Sequence, residues 1–311
     1  MKLRLNIIQL SLLSFLFLLN VNLSSQENQK VFEEIIVTAE KRDESLQTIS
    51  QAVTAITESE IDDKNITSFV DLTSIVPGVT VAKNEGYKTV ISIRGVGNET
   101  NQNAIAAPSV AYHMDGVFIA SPFSLQTDFV DIERIEVLRG PQGTLFGQNS
   151  TGGAINVISK KPSTSAFSSN ASMTIGDFNL RKVSSSTNFP ISDSVATKFT
   201  FTSTERDGFS KNVVTGQDLD DASNISLRSD WIFELNDSSS LRIFGQYFDS
   251  DRNGAAMRGI DDANDSMRKL SQDSLSKQEL TSKVIALIYE SDLGYASLKI
   301  LGSIQEDDVL V

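Results

Sequence analysis

The chain has 311 residues, 40% of them hydrophobic, no cysteine and a formal net charge of −13. That length gives room for about two domains. The absence of thiols excludes a disulfide framework and any thiolate metal site, and an acidic balance with no basic run argues against nucleic acid as a partner.

At the N-terminus, Lys2 and Arg4 precede an apolar run from Leu5 to Leu19, interrupted by Gln9, Ser11 and Ser14. The run falls short of the roughly 20 apolar residues a spanning helix needs. With Ser24 and Ser25 after it, the layout is that of a secretory signal peptide, so residues 1–25 are expected to be cleaved on export. No later stretch has the length and apolarity of a transmembrane helix, which leaves a soluble protein or a β-barrel.

Next come Glu34, Ile35, Ile36, Val37, Thr38 and Ala39, closed off by Glu40-Lys41-Arg42-Asp43-Glu44. A short β-favouring segment bounded by charge has two readings. It is the first strand of the following domain, or an extended peptide for a partner's open sheet edge, where main-chain hydrogen bonds give affinity.

Residues 50–162 read as one mixed α/β domain. Thr57 with Glu60 three residues on forms a capping box that opens a helix. Phe69, Leu72, Ile75 and Val76 suit a second amphipathic helix that stops before Pro77-Gly78. Residues 79–81, 89–93 and 110–114 read as strands. The polar stretch 95–104 is too long for a mere connection and is a candidate ligand surface. From Asp131 the pattern alternates through Ile132, Ile135 and Val137; then Gly140, Gly143, Gly147, Gly152 and Gly153 mark tight turns before an apolar strand, Ala154 to Ile158.

Beyond Pro162 the composition turns to Ser/Thr-rich runs of about ten residues, the signature of barrel strands. Expected strands are 166–175, 180–189, 195–205, 223–235, 240–248, 279–290 and 295–304. In the fourth, Ile225, Leu227, Trp231 and Phe233 fall on one face, and Asn224, Ser226, Arg228, Asp230 and Glu234 on the other. Alternation alone fits a soluble sandwich as well as a barrel. The connections decide: three are short, while 206–222 and 249–278 are long, as in outer-membrane barrels.

Gly95-Val96-Gly97 lacks a third glycine, so no dinucleotide site follows, and the turns at 140–147 lack the Lys-Ser/Thr of a phosphate loop. The single histidine, His113, has no catalytic companions. Asp249, Asp251 and Asn253, followed by Gly254, match the first half of a calcium loop, with Ile260 standing where the bidentate acid belongs.

Four segments in order, EEIIVTA (33–39), ISIRGVG (91–97), MDGVFIASP (114–122) and IERIEVLRGPQGTLFGQNSTGGAINVISKKP (132–162), resemble the N-terminal region of TonB-dependent outer-membrane transporters. The resemblance implies an α+β plug domain (50–162) behind a TonB box and linker (26–49). After the plug would follow an antiparallel transmembrane β-barrel (163–311), here about seven of about 22 strands, so the sequence is expected to be a fragment. It implies a non-enzymatic transporter in the outer membrane of a Gram-negative bacterium, taking up a small molecule such as a ferric siderophore with no cofactor of its own. TonB, with ExbB and ExbD, would bind Glu34–Ala39 in the periplasm, and lipid would surround the barrel. Arg94 and Arg139 would lock the plug to acidic side chains of the wall, their counterparts lying in the strands the sequence lacks. The upper plug loops, with Gly97, Asn98, Asn101, Gln102, Asn103 and Phe123, would meet substrate. The alternative is a truncated non-transporting copy or a plug-like periplasmic binding module.

Overall fold

The computed structural model describes residues 35–38, 44–84, 88–97, 108–121, 124–126, 128–264 and 266–311. The α/β part contributes β1 (Ile36–Val37), β2 (Glu44–Ser45), β3 (Val53–Thr57), α1 (Glu58–Asp63), a 3-10 turn at Phe69–Asp71 and α2 (Leu72–Ile75). It continues with β4 (Val79–Asn84), β5 (Lys88–Ile93), β6 (Val96–Gly97), β7 (Val110–Met114), β8 (Val117–Phe118), a 3-10 turn at Ser124–Gln126, β9 (Ile132–Arg139), α3 (Gly143–Phe146) and β10 (Gly153–Ser159). Its main sheet has the order β3-β9-β10-β7-β8, with β10 parallel to β7 and antiparallel to β9. β10 lies at the centre, and every one of its residues is buried, Asn156 and Ser159 included.

Local chemistry explains most of these elements. The Thr57 hydroxyl accepts from the Glu60 amide while the Glu60 carboxylate accepts from the Thr57 amide, so the expected capping box starts α1. The expected helix over 69–76 forms as a 3-10 turn at Phe69–Asp71 running directly into the α-helical turn Leu72–Ile75. Asp71 takes the amides of Thr67 and Ser68 on one carboxylate oxygen, at 2.9 and 2.8 Å. That tightens the chain into a 3-10 turn, leaving one α-helical turn before Gly78 at φ 81°.

The second part comprises β11 (Ser168–Gly176), β12 (Leu180–Ser192), β13 (Val195–Arg206), β14 (Ser210–Asn212), β15 (Asp218–Leu219), β16 (Ala222–Asn236), β17 (Ser239–Arg252), β18 (Lys269–Leu270), β19 (Gln278–Asp292) and β20 (Ser297–Leu310). The seven long strands form one antiparallel sheet, β11-β12-β13-β16-β17-β19-β20, whose edge strands β11 and β20 do not pair with each other. All seven expected strands are present, several of them longer than the sequence suggested. β14, β15 and β18, carried by the two long connections, make a small separate sheet.

One face of the long sheet packs on the α/β part. Phe244, Val284, Ala286 and Ile288 join Phe69, Tyr112, Ile135 and Val157 in one apolar cluster. The other face carries exposed Ile225, Leu227, Phe199 and Ile285. Near the short turns, ring contacts cross neighbouring strands at Phe189–Phe199 and Phe199–Trp231 and continue along β16 at Trp231–Phe233. An apolar band edged by aromatics is the lipid-facing pattern of a barrel wall. No described helix is long and apolar enough to cross a membrane.

Gly153 sits at φ 151°, and a Cβ there would lie 2.3 Å from the Leu138 carbonyl oxygen and 2.8 Å from Ile93 Cδ1. Backbone cannot yield at the centre of a packed sheet. Gly153→Ala should therefore destabilise the α/β part by about 2–3 kcal/mol, measured as a lower midpoint in denaturant unfolding.

Candidate functional site

The α/β part meets the long sheet through a buried ionic cluster. β7 and β8 are joined by Asp115-Gly116, with φ of 53° and 88°. An Asp-Gly pair suits such a tight turn, because both residues tolerate positive φ. The turn aims the Asp115 carboxylate at the sheet. It accepts the Ser159 amide at 3.0 Å and hydroxyl at 2.8 Å from the end of β10, Arg228 Nη2 at 2.6 Å and Arg242 Nη1 at 3.4 Å. Asp230 in turn accepts from Arg242 Nε at 2.9 Å and from Arg228 Nη2 at 3.0 Å. Relative exposure of the Asp115, Asp230 and Arg242 side chains is 1%, 3% and 5%. The Arg228 guanidinium also lies 4.1 Å from the centroid of the Phe244 ring. Burial pushes the Asp115 carboxyl up, but Arg228, Arg242 and the Ser159 donors outweigh it and hold the pKa at about 2.

Further pairs repeat this polarity. Asp128 meets Lys182 at 3.2 Å, and Asp131 meets Lys198 at 2.8 Å and the Ser186 hydroxyl at 2.8 Å. In each case the acid is on the α/β part and the base on the wall. The expected arginines do not supply such a link among the described residues. Arg94, at φ 53° in the β5–β6 turn, is exposed and has no ion pair there. Arg139 donates from Nη2 to Thr54 Oγ1 at 2.8 Å, inside its own domain, and its buried Nε has no hydrogen-bond partner.

The segment 35–38 is docked on the α/β part and does not stand free. Ile36 and Val37 pair with Ser45 and Glu44 in a two-stranded ladder. Val37 is fully buried, in a cluster with Ala55, Leu138 and Phe146. The Thr38 amide and hydroxyl donate to Glu136 Oε1 at 2.7 and 3.1 Å, and Glu136 also accepts from Arg134 Nε at 2.9 Å and Asn156 Nδ2 at 3.3 Å. Glu34 and Ala39 lie outside the described residues, as do Asn98, Asn101, Gln102, Asn103 and Phe123. Gly97 is held by packing: a Cβ there would come within 2.6 Å of Ser92 Cβ.

The calcium-loop expectation is corrected by the backbone. β17 runs to Arg252, so Asp249 and Asp251 are strand residues. An extended chain spaces their side chains along one face and does not wrap them round an ion. Asp249 accepts from the Thr281 hydroxyl at 2.9 Å, Asp251 lies 3.8 Å from Lys277, and the Asn253 side chain donates to the Asp218 carbonyl at 3.0 Å.

Asp115, Glu136 and Arg242 were not singled out from the sequence, and Arg228 and Asp230 only as polar-face residues. An Asp-Gly turn between strands, and charges alternating onto the wall's polar face, were the available signals; only the register reveals that they meet.

The model of the TonB-dependent receptor plug domain matches residues 45–154. The pesticin receptor of Yersinia pestis is 32% identical over 144 residues, 45% of this chain and 20% of the receptor. The vitamin B12 transporter BtuB of Vibrio vulnificus is 24% identical over 220 residues, 70% of this chain and 35% of the transporter. The crystal structure of the ferric yersiniabactin uptake receptor FyuA from Yersinia pestis superimposes with a TM-score of 0.72 at 20% identity, over 83% of this chain and 41% of that one. The chain thus matches only about a fifth to a third of the length of these curated relatives.

Asp115→Asn would leave buried guanidinium charge short of a partner and should cost about 3–5 kcal/mol. In the parent, Asp115 titrates lower in the folded than in the unfolded state. Its contribution, on the order of 2 kcal/mol, is full above about pH 4 and is lost as pH falls towards 2. Unfolding followed from pH 7 down to pH 2 should show this loss in the parent and not in Asp115→Asn.

Proposed function

Residues 45–154 being a TonB-dependent receptor plug domain, we propose that the chain belongs to an active importer. It would take up a scarce nutrient, a ferric siderophore by preference, across the outer membrane under TonB control. One observation carries the reading: a plug held by ionic pairs and a shared apolar core against the inner face of a strand wall whose outer face is apolar. Such a plug closes a pore and has to move for the pore to open. The iron chelate named for the Yersinia pestis receptor supports the choice of substrate class.

In this reading substrate docks from outside on the upper plug loops, and the exported protein sits in the outer membrane with its signal peptide removed. Binding shifts the plug and loosens the Thr38–Glu136 bonds and the seat of Val37, which releases the segment around Ile35–Thr38. TonB, energised through ExbB and ExbD, captures it by strand addition and pulls. Differential affinity of the substrate for the released state supplies the shift. No bond of the substrate is broken.

The test is growth and radiolabelled uptake in a strain deleted for the intact receptor, with ferric siderophores, haem, cobalamin and saccharides as sole sources. Ile36→Pro removes a main-chain donor from the segment TonB would pair with. It should abolish uptake, at least tenfold, while substrate binding to whole cells stays unchanged; normal uptake by this variant would contradict the role given to the segment.

A further inference from the structure

On the outer face of the long sheet, strand register brings two small residues together. Opposed residues on five strands form one row, Thr187, Phe199, Ser229, Gly245 and Ile285. The next row towards the long connections is Ser185, Phe201, Leu227, Tyr247 and Lys283. Ser229 and Gly245 lie side by side with larger apolar side chains around them, which leaves a groove of about 660 Å³. A Cβ on Gly245 would meet nothing within 4 Å. The Ser229 hydroxyl oxygen accepts from Trp231 Nε1 at 3.0 Å, so the floor already has a polar partner of its own. From Ser185 to Lys283 the groove crosses four strand spacings, roughly 19 Å.

The two ends differ in chemistry. At the β12–β13 end stand the rings of Phe189 and Phe199. At the β19 end stands Lys283, beside Tyr247 and 3.7 Å from Glu306 on β20. One row further out, Asp249 and Asp308 lie on either side of Thr281. In a bilayer an apolar groove of this size takes up hydrocarbon, not water. A lipid tail laid between fixed aromatic walls gains dispersion contacts that a flat wall does not offer. The head end then selects the headgroup. A purely anionic group would meet one cation and three carboxylates, whereas a headgroup with both charges finds a match for each. We propose that this groove is a lipid site for one acyl chain of a zwitterionic phospholipid of the phosphatidylethanolamine kind, its phosphate on Lys283 and its ammonium among Asp249, Glu306 and Asp308. The site needs only that the strand wall stands in a membrane, and it is independent of the substrate carried.

The test is native mass spectrometry of the intact receptor, purified in detergent and titrated with single lipids. Phosphatidylethanolamine should be retained as one bound copy, at least tenfold more tightly than phosphatidylglycerol or lipid A. Gly245→Leu fills the groove from a position with open space above it and should lower that retention at least tenfold. Glu306→Gln with Asp308→Asn leaves the groove open and should erase the preference for phosphatidylethanolamine over phosphatidylglycerol. Equal retention by the parent and Gly245→Leu overturns the site, as does a parent that prefers lipid A or phosphatidylglycerol. Receptor dimers that Gly245→Leu dissociates would give the face to a second copy and overturn it too. Should Gly245→Leu fail to insert, the charge variant decides, and an unchanged headgroup preference there overturns the proposal.

Discussion

A carboxylate buried between two guanidinium groups organises the contact between the two parts of this protein. Asp115 is 1% exposed and Arg242 5%, so neither charge could be carried into the interior alone. Each is tolerable only with the other in place. That mutual dependence fixes the position of the β7–β8 turn on β16 and β17 and the end of β10 through Ser159. The strand register follows the same logic: Arg228 and Asp230 lie two apart on β16, with Arg242 on the adjoining strand, so a one-residue slip would turn these charges outward.

A second buried carboxylate does a similar job. Glu136 has a side chain with no exposure, and it draws in Thr38, Arg134 and Asn156. Thr38 belongs to the docked segment 35–38, so the carboxylate holds that segment on the sheet. Its contacts with Thr38 are three hydrogen bonds, one from the amide and a hydroxyl shared between both carboxylate oxygens, next to a two-pair ladder. The Asp115 cluster is larger, with two guanidinium groups and the Ser159 donors on one carboxylate. Two buried acids in one small domain thus hold a docked segment and a turn.

The wall shows why alternation was informative and incomplete. Ile225 and Leu227 face outward, and Arg228 and Asp230 inward, as the fourth run of the sequence indicated. Two faces of different polarity can serve a sandwich or a barrel. Here the α/β part occupies the polar side and is tied to it by Asp128–Lys182 and Asp131–Lys198, while the aromatic contacts from Phe189 to Phe233 run along the apolar side. The direction of burial resolves what periodicity alone left open.

The sequence by itself determined the seven long strands, the capping box at Thr57 and the division into an α/β part and a strand wall, because these rest on local periodicity, turn residues and motifs within a few residues of one another. It misjudged the acidic stretch at 249–253, where the continuation of β17 overrode the local pattern, and it did not show that the helix over 69–75 opens with a 3-10 turn on the Asp71 side chain. The tertiary structure alone decided the partners: Asp115 with Arg228 and Arg242 across more than 100 positions of chain, and Thr38 with Glu136 across 98. Charge–charge contacts at such separations leave no periodic trace, since any of the 40 acidic and 27 basic residues could in principle have paired. Only the register of the strands selects those that do.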